Sequence, residues 1–164
     1  MNIIAAYDKN NGLGYKGKLL CHLSKDLKQF KELTQNKVVI MGRKTMESLP
    51  NQKPLPNRRN IVLTRKPNEL PQGFEGVSGL AQLTLLLANV KDEDIWIIGG
   101  GEIYKLFMPF CDKLYITEIN SVFEADTFFP EFKSKREWVE NKRSKTMVED
   151  DIEYSFVEYT RRKK

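Results

Sequence analysis

Short apolar runs that alternate with helical patterns are the feature that most constrains the fold of this chain. The predicted strands are Ile3–Tyr7, Val38–Met41, Asn60–Thr64, Ile95–Ile98 and Lys113–Ile119. The predicted helices are Ser24–Thr34, Lys44–Leu49, Leu80–Ala88 and Gly101–Phe107. Strands that alternate with helices are typical of a mainly parallel sheet, because each parallel connection must cross over the sheet. The pattern therefore predicts an α/β fold.

Two further segments depart from that alternation. Trp138–Arg143 and Ile152–Thr160 alternate in polarity on either side of a charged turn, which predicts an antiparallel hairpin at one side of the sheet. Asp8–Leu20 contains three glycines without periodicity, so we expect a mobile surface loop after the first strand. No repeat or long linker divides the chain, and we expect one domain over residues 1–164.

The composition, 40% hydrophobic and 30% charged, is typical of a globular protein. No apolar run approaches the roughly 20 residues that cross a bilayer, and the first residues lack a basic leader. Cys21 and Cys111 have no pairing or metal-binding spacing. We therefore expect free thiols, no metal site and a cytoplasmic location. No long apolar surface stripe is evident, which favours a monomer.

The formal net charge of +5 favours anionic partners in general. Part of the excess lies in Arg161-Arg162-Lys163-Lys164, which we interpret as a solvated end. No other basic stripe is interleaved with aromatic residues, and charge alone is weak evidence for nucleic-acid binding. We expect neither a nucleic-acid nor a membrane partner.

Asp26 lies on the apolar face of the first predicted helix. With Leu23 at zero and about 100° per residue, the apolar arc runs from about 280° at Leu33 to about 40° at Leu27, and Asp26 falls at about 300°. One interpretation is a helix cap or a pair with a cation at the rim, although Ser24 is the better N-cap candidate. The other is a carboxylate at the floor of an apolar ligand pocket, with its pKa raised by desolvation. The helix alone favours the first interpretation, and the motifs described next favour the second.

Three predicted strand ends carry residues that suit phosphate. Gly42-Arg43-Lys44-Thr45 combines a glycine turn, a helix start with free N–H groups and two cations. Thr64-Arg65-Lys66 suits a second, separate phosphate. Gly99-Gly100-Gly101 is costly in conformational entropy unless something must approach the backbone. Open α/β sheets bind ligands at such strand ends, and two separated cationic turns favour NADPH over NADH.

Together these segments resemble the dihydrofolate reductase family in order and spacing. The segments that carry the resemblance are Leu23–Thr34, Val38–Leu49, Pro54–Leu63, Ile98–Tyr104, Leu114–Thr117 and Asp126–Pro130. The resemblance implies three layers, in which helices cover both faces of a central, mostly parallel, eight-stranded mixed sheet that ends in the C-terminal hairpin. It implies NADPH-dependent reduction of 7,8-dihydrofolate to 5,6,7,8-tetrahydrofolate, a role in one-carbon metabolism, and antifolate inhibitors as ligands.

The resemblance also implies a role for individual residues. Asp26 would be the catalytic acid, gripping the pterin amino group and ring nitrogen, with Thr117 fixing its orientation. Arg58 would pair with the α-carboxylate of the substrate's glutamate. The implied substrate-binding residues are Ile4, Ala6, Leu27, Phe30, Leu49, Leu55, Arg58, Ile98 and Thr117. The implied cofactor-binding residues are Ala6, Leu13, Gly14, Leu19, Gly42, Arg43, Lys44, Thr45, Leu63, Thr64, Arg65, Ile98, Gly99, Gly100, Gly101, Glu102, Ile103, Tyr104 and Thr127. A cis peptide would join two of the three consecutive glycines.

In the implied mechanism, a hydride passes to carbon 6 of the pterin while Asp26 raises the basicity of the adjacent nitrogen or relays a proton through water. The Asp8–Leu20 segment would close over the nicotinamide as a lid. The chain departs from the family at several positions. Leu19, Leu20 and Cys21 stand where methionine, proline and tryptophan are usual, and Ala125 stands where a glycine is common.

Three alternatives remain at this point. A catalytic Cys21–His22 pair is disfavoured, because neighbours on an extended segment point to opposite sides and no third group is evident. Another NADPH reductase of the same fold, such as the pyrimidine reductase of riboflavin synthesis, is disfavoured by Asp26 together with Arg58. A catalytically silent pterin- or nucleotide-binding module is compatible with the missing tryptophan. An assay of NADPH oxidation with dihydrofolate separates these readings.

Overall fold

A computed structural model describes residues 1–162 of the chain. The strands are β1 (Asn2–Tyr7), β2 (Gly12–Tyr15), β3 (Lys18–Leu19), β4 (Val38–Gly42), β5 (Arg59–Leu63), β6 (Phe74–Val77), β7 (Ile95–Gly99), β8 (Lys113–Ile119), β9 (Thr127–Phe128), β10 (Trp138–Arg143), β11 (Met147–Glu149) and β12 (Ile152–Arg161). The helices are α1 (Ser24–Thr34), α2 (Arg43–Ser48), α3 (Leu80–Leu86) and α4 (Gly101–Phe107). None of these helices is long and apolar enough to cross a membrane.

The central sheet follows the order β10-β12-β8-β1-β7-β4-β5-β6, with β11 paired to β12 beside that path. The strands from β8 to β6 are parallel to their neighbours, whereas β12 is antiparallel to β8 and β10 is antiparallel to β12. The predicted α/β architecture is confirmed, with an eight-stranded path that is mostly parallel and antiparallel at its C-terminal side.

The two faces of the sheet bury different sets of side chains. Ile3 of β1 packs in one core cluster with Leu83 of α3 and Phe107 of α4. Ile4, the next residue, packs in a second cluster with Met46 of α2. Successive side chains of a strand point to opposite faces, so one apolar strand contributes to both layers. Full burial of one such side chain contributes roughly 1.5 to 3 kcal/mol to folding.

Two short strands of the central sheet were missed by the sequence analysis. β6 contains Gly76, and a Cβ at this position would collide with the carbonyl oxygen of Pro67. The glycine is needed because another segment crosses this edge of the sheet, and it weakens the local strand signal. The predicted turn of the C-terminal hairpin contains β11, which pairs with the start of β12.

The segment predicted as an irregular loop, Asp8–Leu20, is partly regular. β2 pairs with β3 and with β9, which lies more than a hundred residues away, in a small antiparallel sheet. Asp8 is buried, and its carboxylate accepts hydrogen bonds from the backbone N–H groups of Asn10, Gly12 and Phe123. The expectation of no regular structure was wrong, because the partner strand is distant and leaves no local periodicity.

The expected N-cap of α1 was also wrong. Leu23 occupies the N-cap without a side-chain bond, and Ser24 is the first helical residue. The backbone N–H of Ser24 donates to both carboxylate oxygens of Glu149, at 2.9 and 3.0 Å, and its hydroxyl donates at 3.1 Å. A carboxylate from the C-terminal hairpin therefore caps this helix.

The basic tail is not simply solvated. The Arg161 guanidinium donates to the carbonyl oxygens of Cys111 and Met108, at 2.9 and 2.6 Å, and pairs with Glu137 at 2.7 Å. It also lies 4.4 Å from the ring centroid of Trp138. Lys163 and Lys164, the rest of the predicted solvated end, lie outside the described residues.

Candidate active site

Asp26 lies in the first turn of α1 and faces the sheet. Phe30 and Leu33, further along the same helix face, pack against the apolar cluster of Ile4. Thr117 of β8 is buried and pairs with Ala6 of β1 in the sheet. Its hydroxyl donates to Oδ1 of Asp26 at 2.5 Å, which is the hydrogen bond that the family resemblance implies.

The surroundings of Asp26 favour its protonated form. Burial raises the pKa of the Asp26 carboxyl, and the hydrogen bond from Thr117 opposes part of that rise. Within residues 1–162, no lysine or arginine lies within 4.0 Å of this carboxylate. The interpretation of Asp26 as a cap or a rim ion pair is therefore wrong, because its partner is a buried hydroxyl.

An apolar wall stands beside this carboxylate. Five of the predicted substrate-binding residues pack in one apolar cluster, namely Ile4, Phe30, Leu49, Leu55 and Ile98. Leu27 is 39% exposed and Leu19 is 69% exposed, so both leave apolar area available to a ligand. Ala6 packs nearby in a cluster that includes Leu23 and Cys21.

Arg58 is half-buried and held at two points. Its Nε donates to the carbonyl oxygen of Pro56 at 3.0 Å, and its Nη1 donates to the hydroxyl of Thr34 at 3.0 Å. Burial lowers the pKa of Arg58, so its charge is partly desolvated. In the described part of the chain, no carboxylate forms an ion pair with it.

Two of the three predicted phosphate turns are in contact. Gly42 ends β4, and a Cβ there would lie 2.9 Å from the side chain of Ile103 in α4. A Cβ on Gly100 would meet only the hydroxyl of Thr45, at 3.6 Å, so space remains beside this backbone. The peptide between Gly99 and Gly100 is cis, as expected. The ends of β4 and β7 thus form one cradle of close backbone and hydroxyl groups.

The cations of these turns differ in their partners. Arg43 donates to the carbonyl oxygen of Glu69 at 3.3 Å and lies 3.8 Å from the carboxylate of Glu47. Lys44 and Arg65 are exposed, and neither has a carboxylate partner among residues 1–162. Thr64 follows β5, and its hydroxyl accepts a hydrogen bond from the backbone N–H of Lys66 at 3.2 Å. Lys44 and Arg65 are therefore available to an anion.

The lid segment meets the same cradle. The carbonyl oxygen of Gly14 accepts hydrogen bonds from the backbone N–H of Asp126 at 3.0 Å and the hydroxyl of Thr127 at 3.3 Å. A Cβ on Gly101 would lie 2.9 Å from the carbonyl oxygen of Phe128 and 3.8 Å from the side chain of Leu13. The small lid sheet thus packs against the start of α4.

Tyr104 belongs to the predicted cofactor residues and lies on α4 beside the glycine turn. It is buried, its hydroxyl donates to the carbonyl oxygen of Ile4 at 2.7 Å, and a Cβ on Gly99 would lie 3.1 Å from that hydroxyl. Burial, and then the charge of Asp26, raises the pKa of Tyr104. Tyr104 therefore links the glycine turn to β1. Glu102, by contrast, is exposed on α4, and Leu63 is half-buried at the end of β5.

Cys21 lies close to Asp26 but is not an activated nucleophile. Burial raises the pKa of its thiol, and the negative charges of Asp26, Glu149 and Asp8 raise it further. A raised pKa disfavours the thiolate that nucleophilic catalysis needs. His22 is exposed, and no hydrogen bond joins it to Cys21 in the described structure. The Cys21–His22 alternative has no structural support.

A separate polar cavity of about 340 Å³ lies beside the end of β1. Its lining includes Glu118, which pairs with Lys133 at 2.7 Å and with Arg143 at 2.9 Å. Burial alone would raise the pKa of Glu118, but hydrogen bonds from Lys133 and Tyr159 hold it below its ordinary value. Lys133 and Arg143 thus neutralise Glu118, the most enclosed carboxylate of their ion-pair cluster.

Thr34 is the residue of this region that the sequence analysis missed. It is fully buried at the end of α1 and contacts Arg58. On the helical wheel it falls at about 20°, inside the apolar arc, so the signal that identified Asp26 also marks this threonine.

The family model described as dihydrofolate reductase matches residues 1–161. The chain belongs to the dihydrofolate reductase family. It is 41% identical over 160 residues to the dihydrofolate reductase of Neisseria gonorrhoeae, covering 97% of this chain and 96% of that relative. It is 36% identical over 163 residues to the dihydrofolate reductase of Bacillus subtilis, covering 99% and 95%.

Among solved structures, the dihydrofolate reductase of Enterococcus faecalis superimposes with a TM-score of 0.87 at 33% identity, covering 99% of this chain and 96% of that one. That structure is a complex with NADP(H) and RAB-propyl. As a dihydrofolate reductase, this chain is an NADPH-dependent oxidoreductase that reduces dihydrofolate to tetrahydrofolate. The match decides against the pyrimidine reductase of riboflavin synthesis.

Proposed function

We propose that Asp26 is the acid that assists protonation of the pterin in this reductase. The observation that supports the proposal is a carboxylate on the apolar face of α1, hydrogen-bonded to Thr117 and without a cationic partner among the described residues. A carboxylate in such surroundings retains a proton at higher pH than an exposed one. Its second oxygen has no partner among residues 1–162 and is free to accept a hydrogen bond from a ligand amino group.

Asp26 grips the pterin through its amino group and a ring nitrogen, while Ile4, Phe30, Leu49 and the other wall residues cover the ring and the benzoyl group. The apolar wall excludes water from the reacting carbon. The carboxyl group then raises the basicity of the nitrogen beside that carbon or passes a proton to it through water. Arg58 pairs with the α-carboxylate of the glutamate tail, since its charge has no carboxylate partner in the described chain.

The cradle between β4, β7 and α4 suits NADPH. Its close glycines, the hydroxyl of Thr45 and the cation of Lys44 fit a pyrophosphate, and Thr64 with Arg65 fits the extra phosphate. When bound, NADPH supplies the hydride. The open space beside Gly100 allows the cofactor to approach the backbone. The lid, from Asp8 to Leu20, covers the nicotinamide side and keeps bulk water out.

We also propose a single domain and a monomer that acts in the cytoplasm, with antifolates as inhibitors at the pterin pocket. One core cluster reaches from Ile3 to Tyr159, which supports one folding unit. Sedimentation of the purified chain tests the monomer, and a sedimenting species of twice the mass would contradict it.

The test of function is the oxidation of NADPH with and without dihydrofolate. Asp26→Asn should lower the rate at neutral pH by about 100-fold or more, because it removes the acid. Part of the loss should return at low pH, where the substrate is already protonated. Glu32→Gln changes the same charge on the exposed face of α1 and should leave the rate unchanged. Full activity of Asp26→Asn at neutral pH would contradict the assignment, and no turnover by the native chain would favour a silent binding module.

Arg58→Ala tests the glutamate contact. The KM for dihydrofolate should rise about tenfold or more, because a charge-assisted pair with the carboxylate is lost. An unchanged KM would remove Arg58 from the substrate site.

A further inference from the structure

Thr34 is the last residue of α1, and its hydroxyl joins two elements. It donates to the carbonyl oxygen of Phe30 at 2.7 Å and accepts from Nη1 of Arg58 at 3.0 Å. A hydroxyl has one proton and two lone pairs, so both bonds form without competition. The side chain is 0% exposed, and water cannot replace either partner. The bond to Phe30 directs the proton away from Arg58 and presents a lone pair to the guanidinium.

Arg58 needs such an anchor if it is to hold one geometry. An arginine side chain loses up to about 2 kcal/mol of rotamer entropy when it is fixed, and a pre-ordered arginine avoids that loss at the moment of binding. The bond from Nε to Pro56 fixes one side of the guanidinium, and Thr34 fixes Nη1. Nη2 has no partner among residues 1–162, so the planar fork keeps donors for an incoming carboxylate.

We propose that Thr34 is a positioning residue that sets the affinity of the enzyme for the glutamate tail of its substrate through Arg58. This inference rests on the proposed role of Arg58 and adds the group that orients it. Thr34 does not contact the reacting ring, so its hydroxyl contributes to recognition of the tail and not to hydride transfer. A purely structural role would instead affect every substrate equally.

The experiment compares dihydrofolate with a dihydropterin that lacks the benzoylglutamate tail. Thr34→Val keeps the shape and removes the hydroxyl, and it should raise the KM for dihydrofolate about tenfold, since a bond to a charged group is lost. The kcat for dihydrofolate and the KM for the tail-less pterin should stay within about twofold of the native values. Thr34→Ser restores the hydroxyl and should restore the KM.

The matched control is Thr84→Val. The hydroxyl of Thr84 makes the same bond to the carbonyl oxygen four residues earlier, Leu80, at 2.8 Å, but it contacts no arginine in the described structure. Loss of the Thr84 hydroxyl should leave the KM for dihydrofolate and the KM for the tail-less pterin unchanged. If Thr34→Val does not fold, Thr34→Ala gives the same comparison, and Thr34→Ser remains the rescue.

The outcomes separate this inference from the assignment of Arg58. If Arg58→Ala raises the KM for dihydrofolate and Thr34→Val does not, the role of Thr34 is overturned and that of Arg58 stands. The role of Thr34 is also overturned if Thr34→Val raises the KM for both substrates by the same factor. If Arg58→Ala leaves the KM for dihydrofolate unchanged, Arg58 does not bind the glutamate tail, and Thr34 cannot act through it. In the Arg58→Ala background, Thr34→Val should add no further change.

Discussion

At the scale of single residues, the site depends on partly buried polar groups that have few partners. Asp26 has one hydroxyl partner, and Arg58 has one hydroxyl and one carbonyl. Each keeps bonding capacity that a ligand can use. Unused capacity is costly away from water, so its presence near both ends of α1, at Asp26 and at the Arg58 that contacts Thr34, favours a binding role over a structural one.

The first prediction concerns the pH dependence of Asp26. Its pKa is raised in the folded protein, so the folded state holds the proton over a range where the unfolded state has lost it. The stability contribution of this group therefore falls as pH rises from the ordinary carboxyl value to the raised one. Activity that needs the proton is likewise lost as pH rises through the raised value.

Thr117→Val removes the hydrogen bond that lowers this pKa. We expect the falling limb of the pH–rate profile to move to higher pH, together with the pH range over which stability declines. Thr160→Val, on the neighbouring strand β12, serves as a control and should leave the profile in place. A shift of the limb to lower pH would contradict the assignment of Asp26 as the titrating group.

The second prediction concerns Arg65. Arg65→Ala should raise the KM for NADPH about tenfold and leave the KM for NADH unchanged, because only NADPH carries the extra phosphate. Steady-state rates with each cofactor measure the preference of the enzyme for NADPH over NADH. Lys91→Ala is the control, since Lys91 is an exposed cation that precedes β7, at the opposite end of that strand from the glycine turn. An unchanged preference would place the extra phosphate elsewhere.

At the scale of elements, α1 is held at both ends by distant parts of the chain. Glu149 caps its first turn, and Arg58 reaches its last residue. Glu149→Ala should lower the free energy of unfolding by about 1 kcal/mol, because the helix start loses its acceptor. Asp150→Asn, the neighbouring residue with the same change of charge, should have little effect. Urea unfolding measures the free energy of unfolding of both variants. Equal losses would mean that the hairpin tip stabilises α1 only through its charge.

How far the sequence predicts an element depends on where its partners lie. The helical wheel placed Asp26 correctly, since burial of one face is a local pattern. Ser24 was given the wrong role because its capping partner is 125 residues away. β6 was missed because Gly76, required by the close approach of Pro67, interrupts the strand pattern. The close contact of Gly42 with Ile103 could not be read from spacing, although both had been predicted for the same ligand.

At the scale of the whole molecule, the C-terminal strand β12 lies between β8 and β10 in the sheet, and its last residue, Arg161, holds it in place. Its guanidinium bonds the carbonyl oxygens of Cys111 and Met108, which end the connection from α4 to β8. Arg161→Ala should lower the free energy of unfolding by about 2 kcal/mol, because charge-assisted bonds and packing are lost together. Arg162→Ala, with one such bond, is the matched control. Thermal unfolding of both variants checks the difference, and equal midpoints would contradict the fastening role.

The small sheet formed by β2, β3 and β9 affects how ligands enter and leave the cleft. The hydrogen bonds around Gly14 join β2 to β9 within this sheet, while Phe129, the next residue after β9, packs between the rings of Tyr7 and Tyr104. The aromatic contacts of Phe129 therefore hold the β9 end of the small sheet against β1 and α4. We expect ligands to enter and leave the cleft by movement of β2 and β3, with β9 kept in place by these rings.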